Sequence, residues 1–125
     1  MGSSRIRVYL SGGMHSGWRD EVIEACGRER FDFLDPRENG TRNPTEFSVI
    51  NKQHIRSCDI VFAVLEDENP SGMWLACEVA FADAHGKTII LVNEKTHRYD
   101  KAPNAFASKV FRKLKDGIRL LQRFR

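Results

Sequence analysis

Asp59-Ile60-Val61-Phe62-Ala63-Val64-Leu65 reads, after its first residue, as an unbroken apolar run rich in β-branched side chains. A strand with one wet face alternates apolar and polar residues, so a run without alternation predicts a strand covered on both faces. Such a strand belongs in the middle of a parallel sheet. Lys87-Thr88-Ile89-Ile90-Leu91-Val92 repeats the pattern downstream. Between the two lies a helical stretch, Met73 to His85, closed by Gly86. Strand, helix and parallel strand in this order form a βαβ unit.

Upstream, Arg5-Ile6-Arg7-Val8-Tyr9-Leu10 predicts a first strand that stops at Ser11-Gly12-Gly13. Ser16 is placed to cap a helix from about Gly17 to Glu29, with Trp18, Val22 and Ala25-Cys26 on one side. Phe31-Asp32-Phe33-Leu34 is a short second strand ending at Asp35-Pro36. After a polar loop from Arg37 to Arg42, Asn43-Pro44-Thr45-Glu46 predicts a capping box opening a second helix. That helix carries Phe47, Ile50 and Ile55 and ends near Ser57-Cys58. Beyond Val92, a polar loop from Asn93 to Lys101 precedes an amphipathic helix with Val110, Leu114, Ile118 and Leu121 on one face. That face suits either the core or a dimer contact. The expected order is βαβαβαβα, an α/β three-layer sandwich with a parallel sheet of four or five strands. No repeat or linker divides residues 1–125, which are expected to form one domain.

The chain of 125 residues carries 20 basic and 17 acidic side chains. That near-balance argues against a nucleic-acid binder, although Lys109, Arg112, Lys113, Lys115, Arg119, Arg123 and Arg125 crowd the end. Cys26, Cys58 and Cys77 have no metal spacing and read as buried, reduced thiols. His54, His85 and His97 also lack metal spacing and read as surface residues. No apolar run approaches the ~20 residues that span a bilayer, and nothing resembles a signal peptide. A cytoplasmic protein without membrane contact is expected.

Open parallel sheets bind ligands beyond the carboxyl ends of their strands, where strand order switches. The loops reaching that edge are Ser11 to Ser16, Asp35 to Asn43, Glu66 to Gly72, and Asn93 onward. Two of them enter helix N-termini, where free N–H groups favour an anion. Neither has a P-loop or GxGxxG signature. Glu78 stands out within Leu75-Ala76-Cys77-Glu78-Val79-Ala80-Phe81-Ala82, an otherwise apolar stretch. It shares a helix face with Leu75 and Ala82 and lies about 140° from Asp83, so the two acids do not form one exposed stripe. A carboxylate in such surroundings is either partnered or employed.

Three blocks together resemble the nucleoside 2-deoxyribosyltransferase superfamily, which includes the deoxynucleoside 5′-monophosphate N-hydrolases. They are Val8-Tyr9-Leu10-Ser11-Gly12-Gly13, Ser57-Cys58-Asp59-Ile60-Val61-Phe62-Ala63, and Asn69-Pro70-Ser71-Gly72 with Glu78-Val79-Ala80-Phe81-Ala82 and Gly86-Lys87. The resemblance spans roughly Arg7 to Val92 and implies a flavodoxin-like fold. It also implies cleavage of the N-glycosidic bond of a (deoxy)nucleoside or its 5′-monophosphate, by hydrolysis or deoxyribosyl transfer, with hydrolysis favoured.

The family's glutamate nucleophile matches Glu78, and the tyrosine that hydrogen-bonds it matches Tyr9. The loop around the sugar and 5′-phosphate matches Ser11, Gly12, Gly13, His15 and Ser16, with Ser71 or Gly72 contacting sugar or phosphate. Asn104 matches an asparagine that family members bring across a dimer interface, so a homodimer or higher homo-oligomer is implied. No cofactor or metal is implied. Two departures stand out. Asn51 occupies a position where many members have an aspartate near the base. Val79-Ala80 replaces the usual Leu/Ile-Gly, and Trp74 stands where a small residue is common, either as packing or narrowing the pocket.

Cleavage at an anomeric carbon passes through an oxocarbenium-like state that a nearby carboxylate stabilises or traps. The departing base needs a proton or hydrogen bond, for which Asp67, Asn51 and Asp35 are candidates. Asp59, at the other end of the sheet, reads as a cap, and Arg37 and Arg42 as solvated loop charges or phosphate contacts. Two other readings remain: an inactive nucleotide-binding module, and an NAD-cleaving glycohydrolase.

Overall fold

The computed structural model describes residues 4–14, 16–69 and 72–124. Its centre is a five-stranded sheet in the order β2-β1-β3-β4-β5, with every neighbouring pair parallel. The strands are β1 (Ile6–Gly12), β2 (Phe31–Leu34), β3 (Ile60–Leu65), β4 (Thr88–Asn93) and β5 (Lys109–Phe111). The helices are α1 (Trp18–Cys26), α2 (Pro44–Ser57), α3 (Met73–Ala84) and α4 (Leu114–Leu121). Every residue of β3 is buried, as its unbroken apolar run requires. Strand order reverses between β1 and β3, which places the switch point where β1 ends in Ser11-Gly12.

Side chains alternate across the sheet, so each strand feeds two cores. Val8, Leu10, Phe62, Val64, Ile90 and Val92 pack under α1 and α4 with Trp18, Val22, Ile118 and Leu121. Tyr9, Val61, Ala63, Leu65, Ile89 and Leu91 pack under α2 and α3 with Ile55, Leu75, Val79 and Ala82. This alternation aims Tyr9 and Ser11 at α3. Gly117 sits inside α4, where a Cβ would lie 2.6 Å from Val92 Cγ2. The missing side chain lets that helix close on the sheet.

Several local expectations are corrected. Val110 belongs to β5 rather than to the last helix, and residues Arg98–Phe106 form a 3-10 helix between β4 and β5. β5 is three residues long at the sheet edge, too short for a strand signature to outweigh the helical spacing of its apolar residues. Ser16 does not cap α1. Gly17 holds that position without a side-chain bond, while Ser16 Oγ donates to Glu66 Oε2 at 2.7 Å. α1 itself ends at Cys26, short of Glu29.

Asn43 caps α2 as expected, its Oδ1 accepting from the N–H groups of Thr45 and Glu46. The reciprocal half of the box is relayed, however. Thr41 Oγ1 accepts from Asn43 N and donates to Glu46 Oε2. Of the three cysteines only Cys58 is buried; Cys26 is half-buried and Cys77 exposed, because α3 turns it away from the sheet, and His54 is half-buried rather than at the surface. Asp59 Oδ2 accepts from Arg7 N at 2.8 Å, a structural link far from the switch point. Among the described residues no helix is long and apolar enough to cross a membrane, and no metal-binding cluster occurs.

Candidate active site

Glu78 points from α3 at the end of β1 and is 9% exposed. Tyr9 Oη donates to its Oε2 and Ser11 Oγ donates to its Oε1, both at 2.7 Å. Trp74, one helical turn earlier on α3, shares the helix face of Glu78 and lines the same space. Burial is the largest influence on this carboxyl and raises its pKa above the ordinary value. Ser11, Tyr9, Arg19 and Trp74 oppose that rise. Burial and the adjacent Glu78 charge raise the Tyr9 phenol well above its usual range, so Tyr9 stays a donor.

The wall of the site toward β1 is a glycine turn. Gly12 has φ 147°, and a Cβ there would meet Val64 O at 2.4 Å, so only glycine fits. A turn of this kind leaves carbonyls without partners at a buried strand end. Arg19, from the first turn of α1 and 1% exposed, satisfies them. Its guanidinium donates to Leu10 O, Gly12 O at 2.9 Å and Gly13 O at 2.6 Å. Asp35 lies 3.7 Å from Arg19 Nε and compensates its charge. Burial lowers the Arg19 pKa from its ordinary value, and Asp35 offsets part of that.

Glu78 opens onto two adjoining cavities of about 340 Å³ each, the size range of small-ligand pockets. Asn51, Trp74 and Glu78 line both. The first lies between α2 and α3, with Ser48, Lys52, Ile55, Cys77 and Phe81. The second runs to Tyr9, Gly12, Gly13, Met14, Arg19, Pro36, Phe47 and Asn69. A wider basin of about 760 Å³ continues past Met14, Pro36, Phe47 and Trp74 to Arg37, Thr41 and Arg42. Asn51 is 2% exposed, lines both cavities, and its Oδ1 accepts from Asn39 Nδ2 at 2.8 Å.

The residues expected from sequence divide by position. Glu78, Tyr9, Ser11, Gly12, Gly13 and Asn51 come together at the switch point. His15 and Ser71 lie outside the described residues. Asp35 is buried but spent, because Arg37 donates to both its oxygens and Arg19 stands alongside. It is a structural anchor rather than a proton donor to a departing base. Asp67 is exposed and lines none of these three cavities, its N–H donating to Glu94 Oε1. Gly72 precedes α3 and borders a separate cavity with Leu65, Met73 and Tyr99. Asn104 is tied within its own chain, accepting from Asn93 Nδ2 at 3.0 Å. Arg37 is held by Asp20 as well as Asp35, which answers its charge without a phosphate.

Sequence reasoning missed Arg19, Asn39 and the placement of Trp74. A double-glycine turn at a buried strand end needs donors for its carbonyls, and that need was the available signal for Arg19. Trp74 is 52% exposed and lines all three cavities, so core packing does not describe it.

A parallel five-stranded sheet between helices, with a buried, hydrogen-bonded carboxylate at its switch point, defines an open α/β fold. No family model matches the chain, and no curated protein matches it by sequence. Solved structures do. The 2-deoxyribosyltransferase of Bacillus psychrosaccharolyticus superposes with a TM-score of 0.69 at 17% identity, over 95% of this chain and 92% of that one. The CMP N-glycosidase of Clostridium botulinum gives 0.64 at 16% identity, over 94% and 99%. The 2-deoxyribosyltransferase of Leishmania mexicana gives 0.62 at 21% identity, over 74% and 67%. The chain therefore has the deoxyribosyltransferase-like fold.

Proposed function

We propose that this protein cleaves the N-glycosidic bond of a nucleoside or nucleoside 5′-monophosphate with Glu78 as nucleophile. The observation that carries the reading is the Glu78 carboxylate, buried at the mouth of the sheet and gripped on both oxygens by Tyr9 and Ser11. Two of the proteins that share the fold are named as deoxyribosyltransferases and one as a CMP N-glycosidase. Those activities break the same kind of bond.

In the first step a Glu78 oxygen attacks the anomeric carbon and the carbon–nitrogen bond breaks, leaving a glycosyl ester and the free base. The electron pair of the broken bond goes to the base nitrogen. The Asn51 amide, which lines the same cavities as Glu78, donates a hydrogen bond to the departing base. In the second step water attacks the same carbon and the ester oxygen leaves as the carboxylate. The proton that water loses balances the one the departed base nitrogen gains, so sugar and neutral base are released. A second base in place of water gives transfer and loses its ring N–H proton in the same way. Hydrolysis is the favoured outcome. Tyr9 and Ser11 keep the carboxylate aimed and take up its returning charge.

Incubation with the common nucleosides, their 5′-monophosphates and NAD, followed by chromatography for free base, tests the reading. Base release from a nucleoside or monophosphate is expected, with loss of at least a thousand-fold in Glu78→Ala. Release undiminished in that variant refutes the nucleophile. Release from NAD alone replaces the substrate assignment.

A further inference from the structure

Trp74 is a large apolar side chain left half-exposed beside a buried carboxylate. It occupies the first turn of α3, four residues before Glu78, and side chains at that spacing share a helix face. The indole is also among the groups that pull the Glu78 pKa down, and the N–H is its one polar group. The ring also walls the two cavities that Glu78 opens onto and the basin beyond them. Phe47, from α2, bounds two of the same spaces with it. Aromatic rings on two different helices thus border one cleft, with the nucleophile at its floor.

We infer that Trp74 is the stacking platform for the base and, through its N–H, a positioning residue for Glu78. The inference rests on the glycosidase reading for its second half only. A planar heteroaromatic base lies against the indole face, with Phe47 bounding the cleft from α2. Contact with the base covers the exposed indole, and the anomeric carbon of the attached sugar stays over the carboxylate. The two roles use different parts of one side chain. The face binds, and the N–H aims. Stacking on an aromatic ring tolerates either base class, so Trp74 contributes affinity for planar bases in general and leaves the choice among them to polar groups such as Asn51.

Trp74→Phe keeps a stacking face and removes the N–H, whereas Trp74→Ala removes both. The probes are 2′-deoxyadenosine 5′-monophosphate and cytidine 5′-monophosphate, titrated into wild type, both variants and Glu78→Ala, with far-UV circular dichroism confirming the fold. Trp18 packs on the other side of the sheet but donates to Gly13 O at the cavity wall, so the Trp74 signal is the part of the tryptophan fluorescence quenching that Trp74→Phe abolishes. Quenching is expected in wild type and in Glu78→Ala, and loss of it in Trp74→Phe. On substrates that turn over, Trp74→Ala should raise KM about ten-fold or more. Trp74→Phe should hold KM within about three-fold while kcat falls and the acid limb of its pH profile moves upward. Tyr9 from β1, Arg19 from α1 and Lys52 from α2 face the same space and remain in every variant.

Unquenched wild type, or quenching that survives undiminished in Trp74→Phe, overturns the platform whether or not the protein releases base. Equal KM and an unmoved pH profile in both variants overturn the positioning role. Quenching without any base release from wild type leaves the platform standing and refutes the glycosidase instead.

Discussion

Ser11 Oγ donates to Glu78 Oε1 at 2.7 Å, joining the end of β1 to the middle of α3 across 67 positions of sequence. Tyr9, two residues earlier on the same strand face, holds the other oxygen at the same distance. A strand period of two and a single carboxylate are enough to build the clamp.

The clamp sets the pH at which Glu78 ionises. Burial raises its pKa, and the hydrogen bonds from Ser11 and Tyr9 pull it back. Removing either donor lets burial prevail further, so the acid limb of kcat/KM should move to higher pH in Ser11→Ala and Tyr9→Phe. Ser11 is the larger of the two influences, and its variant should move further. Each bond to a charged acceptor is worth about 1.5–3 kcal/mol, so activity at neutral pH should fall roughly ten- to a hundred-fold. A pH-rate profile whose acid limb stays in place in both variants would show that the two hydroxyls do not govern the carboxylate.

The same carboxylate should cost stability. Its folded pKa lies above the unfolded value, so between those two values the folded protein binds the extra proton. Stability therefore falls as pH rises from the ordinary carboxylate range through the raised pKa. Glu78→Gln removes the charge and keeps the shape, and should be about 1 kcal/mol more stable than wild type at neutral pH. The gain should vanish below the ordinary carboxylate range. Thermal unfolding at two pH values measures both, and a variant less stable than wild type at neutral pH would contradict a burial-dominated shift.

Arg19 carries the glycine turn. Arg19→Met strips the buried donors from Leu10 O, Gly12 O and Gly13 O and leaves Asp35 to Arg37 alone. Breaking a buried ion pair on one side costs about 3–5 kcal/mol, and this one is hydrogen-bonded to the backbone as well. A loss near 3 kcal/mol is expected in urea unfolding, with a smaller loss for Arg19→Lys. One ammonium keeps the charge but cannot span the same carbonyls. An unchanged urea midpoint in Arg19→Met would mean the turn holds itself.

How far the sequence could be read follows from which interactions are periodic. β3 and β4 were legible because burial on both faces leaves an unbroken apolar run. Glu78 was legible because it breaks one. β5 was not, because three edge residues carry no period, and Val110 happens to fall in helical register with Leu114 and Ile118. Asp35 looked available as an acid because sequence shows a carboxylate but not its partners. Arg19 and Arg37, sixteen and two residues away, occupy it. The cleft itself depends on α2 and α3 facing each other across β1 and β3. Side-chain exposure such as that of Trp74 follows from this packing and from no local pattern.

Gly117 separates stability from chemistry. Glycine inside an exposed helix costs about 1 kcal/mol relative to alanine, so Gly117→Ala ought to stabilise α4 if there were room. There is none. The new Cβ would lie 2.6 Å from Val92 Cγ2 and 3.2 Å from Phe62 Cζ, both fully buried in the sheet. Valine is stiff at χ1, so α4 must lift instead of Val92 turning away. Overpacking of this kind costs about 1–3 kcal/mol, which outweighs the propensity gain. A net loss of up to about 2 kcal/mol is therefore expected in urea unfolding. Base release at 25 °C should be unchanged, because Glu78 and its clamp lie on the opposite face of the sheet. A more stable variant would mean that α4 sits further from β4, and a less active one that strain crosses from one core to the other.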